Sequence, residues 1–107
     1  MQKFMVLYLA PISAEQQMNV SPEDRKKGME PWIKWMDKCG KALVDGGSPL
    51  GKGMRFSKRG GANVSSEVTG YSVLQAESMD AVKKLVADHP HLMMPGFSIE
   101  VFEYLSM

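Results

Sequence analysis

Hydrophobic and polar positions along the chain predict four strands and two main helices. Residues 3–9 are apolar at odd and even positions alike, which predicts a strand buried on both faces. Pro11 ends that run, and residues 13–19 allow one loose helical turn. Ser21-Pro22-Glu23-Asp24 is a helix start: a hydroxyl to cap a free N–H, a proline suited to the first turn, and acids at the positive end of the dipole. Met29, Trp32, Met36, Cys39 and Leu43 then recur at spacings of three and four, with Ile33 and Trp35 beside them, and mark one buried helix face. Gly28 and Pro31 predict a kink or restart, and Gly46-Gly47 a helix stop.

Residues 48–58 and 67–76 read as strands of a hairpin joined through Arg59-Gly60-Gly61-Ala62-Asn63. Ser78 caps a second helix with Met79, Val82, Leu85 and Val86 as its stripe, and His89-Pro90 ends it. Residues 98–105 form the last strand, with Ile99, Val101 and Leu105 on one face and Phe102 and Tyr104 on the other. The order β-α-β-β-α-β is the ferredoxin-like arrangement, an α+β fold whose four-stranded antiparallel sheet carries both helices on one face. With 107 residues and no linker or repeat, the chain is read as a single domain, 1–107.

Two helices cover one face of the sheet, yet residues 3–9 and 98–105 are apolar at both parities. Burying one large apolar side chain is worth roughly 1.5–3 kcal/mol, so an open sheet face is a large liability. A second copy packed sheet to sheet resolves it, and a homodimer is the expected partner. The competing reading folds the tail, the 10–20 segment or the hairpin loop across that face.

Composition narrows function mainly by exclusion. Thirteen Lys and Arg against twelve Asp and Glu give a net charge of +1, which argues against nucleic acid or an acidic membrane as partner. No apolar run approaches the ~20 residues of a membrane helix. The apolar part of the N-terminus has only the minimum length for a signal peptide, and cleavage near Ala14 would remove the best strand. One cysteine, Cys39, excludes an internal disulfide and a multi-cysteine zinc site, and fits a reducing, cytoplasmic compartment. Cys39 lies on the buried stripe and reads as an inert core thiol. Met5, Met29, Met36 and Met79, four of the ten methionines, fall on core positions.

His89-Pro90-His91-Leu92-Met93-Met94 is the most chemical-looking stretch. Two imidazoles at a helix exit, where the dipole would raise their pKa, suit general acid–base work or polar binding. With the methionines they also offer soft ligands to copper, although His-x-His supplies at most two ligands and no metal site is assigned. The structural alternative is a helix-terminating loop whose histidines cap carbonyls. Trp32 and Trp35, with Tyr8, are candidates to line an apolar ligand pocket, or else are core anchors. Gly46 to Gly53 nearly matches a phosphate-binding loop, but Gly53 stands where Ser or Thr is required and the order of helix and strand is inverted. Lys52, Arg55, Lys58 and Arg59 form a small basic patch on the hairpin, read as a solvated edge.

The second half resembles the YCII-related (DGPF-domain) family: Gly70-Tyr71-Ser72-Val73-Leu74-Gln75-Ala76, Ser78-Met79-Asp80-Ala81, His89-Pro90 and Ile99-Glu100-Val101, with Lys3 to Leu7 fitting its first strand. The resemblance implies a ferredoxin-like subunit of a dimeric α+β barrel. The family has no single established activity, and a His-Asp pair has been proposed as catalytic in some members. Here Gly60 to Ser66 replaces the Asp-Gly-Pro-Phe segment, Trp32 and Trp35 stand on the first main helix where a histidine is wanting, and His89-Pro90, with Asp88 one step earlier, replaces the common Asp-Pro. That mechanism therefore does not transfer intact. The expectation is a small cofactor-free enzyme acting on a small molecule, with His89 or His91 as acid–base or polar binding group and Trp32, Trp35 and Tyr8 at the ligand. The alternative is a non-catalytic homodimer that binds a ligand or regulates a partner.

Overall fold

A computed structural model describes residues 1–107. Its main sheet has four antiparallel strands: β1 (Gln2–Leu9), β2 (Leu43–Pro49), β5 (Val68–Ala76) and β6 (Ser98–Glu103), in the order β2-β5-β1-β6. Strand β1 is central and packs between β5 and β6, as the ferredoxin-like order requires. The helices are α1 (Ala14–Met18), α2 (Pro22–Cys39) and α3 (Met79–Val86). A separate hairpin of β3 (Gly53–Ser57) and β4 (Gly60–Val64) stands on the connection from β2 to β5. The fold is the α+β arrangement read from the sequence.

Pleating divides β1 cleanly. Phe4, Val6 and Tyr8 are buried and join Leu74, Trp35, Cys39 and Val82 in the core between sheet and helices. Phe4 pairs with Leu74 and Val6 with Ser72 on β5, so the core face continues across the sheet. Met5, Leu7 and Leu9 point the other way, beside Val73 and Tyr71 of β5 and Phe102 of β6. None of these six belongs to the core cluster, and Phe102 is 54% exposed.

Local chemistry sets the element ends. Ser21 accepts from the Asp24 N–H at 3.1 Å and caps α2, and Ser78 accepts from the Ala81 N–H at 3.2 Å and caps α3. The expected turn at 13–19 is α1, closed by a reciprocal pair between Ser13 and Gln16.

Five boundaries differ from the sequence reading. Helix α2 runs through Gly28 and Pro31 without restarting. The bond that Pro31 cannot make falls in a stretch exposed from Ser21 to Pro31, where water can satisfy the Lys27 carbonyl. The helix ends at Cys39, not at Gly46-Gly47, because Gly40 turns the chain at φ +55°. Strand β2 then begins at Leu43, and Gly46-Gly47 lie inside it, where its pairing with β5 shifts register. The expected strand 48–58 is split: its first residues end β2, which pairs with β5, while Gly53–Ser57 turns at Lys58-Arg59 and pairs with β4, formed from residues expected in a loop, so no hairpin joins 48–58 to 67–76. The last strand stops at Glu103, two residues early, although the Tyr104 N–H still bonds the Lys3 carbonyl at 2.9 Å. Met29, expected in the core, is about half exposed, since α2 lies on the sheet only with its C-terminal half, and Met79 is likewise about half exposed at the first position of α3.

Candidate functional site

The five residues singled out from sequence come together at one end of the core. Tyr8 arrives from the end of β1, Trp32 and Trp35 from successive turns of α2, and His89 and His91 from the 3-10 turn Pro90–Met93 that follows α3. Ring centroids lie 4.9 Å apart for Tyr8–His89, 4.4 Å for Trp32–His89, 4.3 Å for Trp35–His89 and 4.8 Å for Tyr8–Trp32. His91 lies 5.3 Å from Tyr8 and 6.1 Å from Trp32. Phe97, missed in the sequence, sits 5.0 Å from His91. Its signal was the turn at Pro95-Gly96, where Gly96 takes φ +79° just before the Phe97 ring that meets His91.

His89 is an N-cap. As the residue before a proline it is extended, φ −62° and ψ 137°, and its Nδ1 accepts the His91 backbone N–H at 3.0 Å. That occupies the Nδ1 lone pair, so the neutral ring carries its proton on Nε2. The ring is wholly buried, and Nε2 has no hydrogen-bond partner. His91 is also buried and lies 2.7 Å through Nε2 from the Leu9 carbonyl, which can only accept, so this nitrogen too holds a proton.

The expectation that the helix exit raises these pKa values is reversed. Burial pushes His89 down to about 4, with His91 lowering it further and Asp88 opposing. Burial also lowers His91, while the carbonyls of Leu9 and Ser98 pull it back up. Both imidazoles are therefore neutral at pH 7. They cap neighbours as the structural alternative held, but His89 caps an N–H of the following turn rather than a helix carbonyl.

Tyr8 has its hydroxyl engaged. Ser72 donates to the Gly46 carbonyl at 2.9 Å, so the 2.8 Å contact between Tyr8 and Ser72 is Tyr8 donating to Ser72 Oγ. Burial pushes the phenol up to about 12 and keeps it protonated. Trp35 donates through Nε1 to the Leu85 carbonyl at 2.8 Å and locks α2 to α3. Trp32, which carries the apolar stripe in sequence, is only half-buried, and it forms the outer wall of the cluster.

Several other candidates lie elsewhere. Cys39 is buried in the core, and burial raises its thiol. Asp88 points outward to Lys38, whose ammonium holds its carboxyl below the usual range. No group of three or more His, Cys, Asp or Glu gathers as metal ligands would. A cavity of about 600 Å³ opens between α1, the base of the hairpin and β5, lined by Ala14, Leu50, Lys52, Val64, Ser65 and Thr69 among others, and none of the five residues lines it.

No family model matches the chain, and no curated protein matches it. Among solved structures it is similar to 5-chloro-2-hydroxyhydroquinone dehydrochlorinase from Burkholderia phenoliruptrix AC1100, in complex with 2,5-dihydroxybenzoquinone. The two align with a TM-score of 0.59 at 17% identity, over 98% of this chain and 94% of that one. At that identity the likeness is one of fold, and the fold is the ferredoxin-like α+β subunit.

Proposed function

We propose that the chain is a YCII-related, cytoplasmic protein that binds a small, partly apolar ring compound without an organic cofactor. Trp32, Tyr8 and Trp35 supply the apolar wall, and His89 and His91 the polar contacts. The observation that carries this reading is the Nε2–H of His89: a donor buried among aromatic rings with nothing to accept it. A buried unpaired donor costs roughly 1–3 kcal/mol, which a ligand oxygen would recover. With its lone pair spent on the His91 N–H, His89 is a hydrogen-bond donor rather than a base. His91 is the better acid–base candidate, because its engaged nitrogen is Nε2 and its Nδ1 lone pair is not spent on a backbone N–H. The structural neighbour's ligand, a dihydroxylated quinone, pairs a flat ring with oxygens and supports that ligand class.

Calorimetric titration with 2,5-dihydroxybenzoquinone tests this. Wild type is expected to bind, and His89→Ala to bind at least about tenfold more weakly, as loss of one buried hydrogen bond implies. Equal affinity in wild type, His89→Ala and His91→Ala removes the histidines from the site. The second reading, a non-catalytic homodimeric ligand-binding or regulatory protein, is favoured by the capping bonds of both imidazoles. Turnover lost in His91→Ala with binding retained separates it from the first.

In either reading the working unit is a homodimer packed through the face of Met5, Leu7, Leu9, Tyr71, Val73 and Phe102. The helices cover only the other side of the sheet, and this face carries large apolar side chains outside the core cluster, with Phe102 54% exposed. Phe102→Asp, at a half-exposed position that leaves folding intact, is expected to weaken self-association about thirtyfold or more in sedimentation. Unchanged dimers in that variant would place the interface elsewhere.

A further inference from the structure

The β3–β4 hairpin is an arm. Its strands pack on each other and on no other element to any extent, and every residue from Val44 to Asn63 is exposed. The molecule measures 44 × 40 × 21 Å with a radius of gyration of 15.1 Å, against about 13 Å for a compact chain of this length. Two strands alone are marginal in water, and Gly51, Gly53, Gly60 and Gly61 raise the entropic cost of holding the arm in one shape.

The arm is also two-sided. Met54 and Phe56 share one face, and Phe56, 76% exposed, lies against Gly61, where an added Cβ would meet its ring at 2.9 Å. Arg55 alternates to the opposite face, Lys58 and Arg59 stand at the tip and Lys52 at the base, and no acid occurs between Gly46 and Ser66. The arm thus carries four of the thirteen cations and none of the twelve acids, which leaves the rest of the chain at −3. Within the open sheet face, Asp45 and Glu100 stand beside Val73, Leu7 and Phe102.

We propose that the hairpin arm of one copy reaches past the sheet-to-sheet contact and lies along an edge strand of the second copy's sheet, with Met54 and Phe56 against that rim and the tip cations toward its acid, Asp45 on β2 or Glu100 on β6. The arm rests on the homodimer reading above and extends it. It makes the contact reciprocal, since each copy gives one arm and receives one. The charge split draws an arm to another body and opposes arm-to-arm contact.

Sedimentation at several salt concentrations tests the arm apart from the dimer. Phe56→Asp and the double variant Lys58→Glu/Arg59→Glu touch only exposed positions. Each is expected to raise the dimer Kd about tenfold or more, and the charge variant's deficit to shrink in high salt. Unchanged Kd in both, with Phe102→Asp still breaking the dimer, overturns the arm and leaves the sheet interface standing. A wild-type monomer at the highest soluble concentration overturns both. Salt-sensitive binding of a single-stranded oligonucleotide, lost in the double variant while self-association is unchanged, assigns the arm to nucleic acid and also overturns the proposal.

Discussion

Gly47→Ala is expected to destabilise the fold by about 3–5 kcal/mol, read as a drop in urea midpoint. Gly47 takes φ +79°, where an L residue is strained by roughly 1–2 kcal/mol before any contact is counted. Its added Cβ would also stand 1.6 Å from the Tyr71 carbonyl oxygen and 2.5 Å from that carbonyl carbon. Those atoms are backbone of the neighbouring strand, so relief requires β2 to move away from β5. The damage reaches the aromatic cluster, because Gly46 next door accepts the Ser72 hydroxyl that in turn accepts from Tyr8. Gly28→Ala is the control. An added Cβ there meets nothing within 4 Å, in an exposed helical stretch, so about 0.5–1 kcal/mol of stabilisation is expected. A Gly47→Ala protein with wild-type midpoint would mean that β2 is not held on β5 at this point.

That glycine pair also shows where sequence reading reaches its limit. A Gly-Gly after an apolar helical stripe is equally a helix stop or a bulge, and the choice depends on Tyr71, a residue 24 positions on whose carbonyl must be cleared. Gly40, the true stop, is a single glycine after a cysteine and gives a weaker signal than the pair. The ferredoxin-like order was legible because β1, β5 and β6 declare themselves by apolar residues and Ser21 and Ser78 place both main helices, whereas β2, apolar only at Leu43 and Val44, was misplaced to 48–58. The arm was not, since Gly60 to Asn63 lack the β-branched residues by which strands are read. The aromatic cluster was legible in its members but not in its electrostatics. The helix-exit argument considered only the dipole, whereas Tyr8, Trp32 and Trp35 surround His89, and desolvation by rings brought from elsewhere in the chain outweighs a partial charge.

Acidification is expected to unfold the protein in a range set by that burial. A histidine in the unfolded chain takes its proton near pH 6.5, whereas His89 in the fold takes one only near about 4. Between these values the unfolded chain holds more protons, so stability falls as pH falls. The contribution of neutral His89 is whole above pH 6.5 and gone below 4, a loss of about 3 kcal/mol over the window, at up to about 1.4 kcal/mol per pH unit. His91, also lowered, acts with the same sign. Asp88 does not blur this range: with its carboxyl held below its ordinary 3.8 by Lys38, it gives up its contribution only in more acidic solution. His89→Asn separates titration from packing, because an asparagine side-chain oxygen can still accept the His91 N–H and cap the turn while carrying no titrating group. Unfolding free energies of the Asn variant between pH 5 and 6.5 should therefore rise less steeply with pH, by about half a proton's worth of slope at pH 6.5 and about nine-tenths at pH 5. If both proteins show the same slope, His89 is already charged in the fold. Its Nε2–H would then not be the neutral donor on which ligand binding is argued, so the pH titration bears on function as directly as on stability.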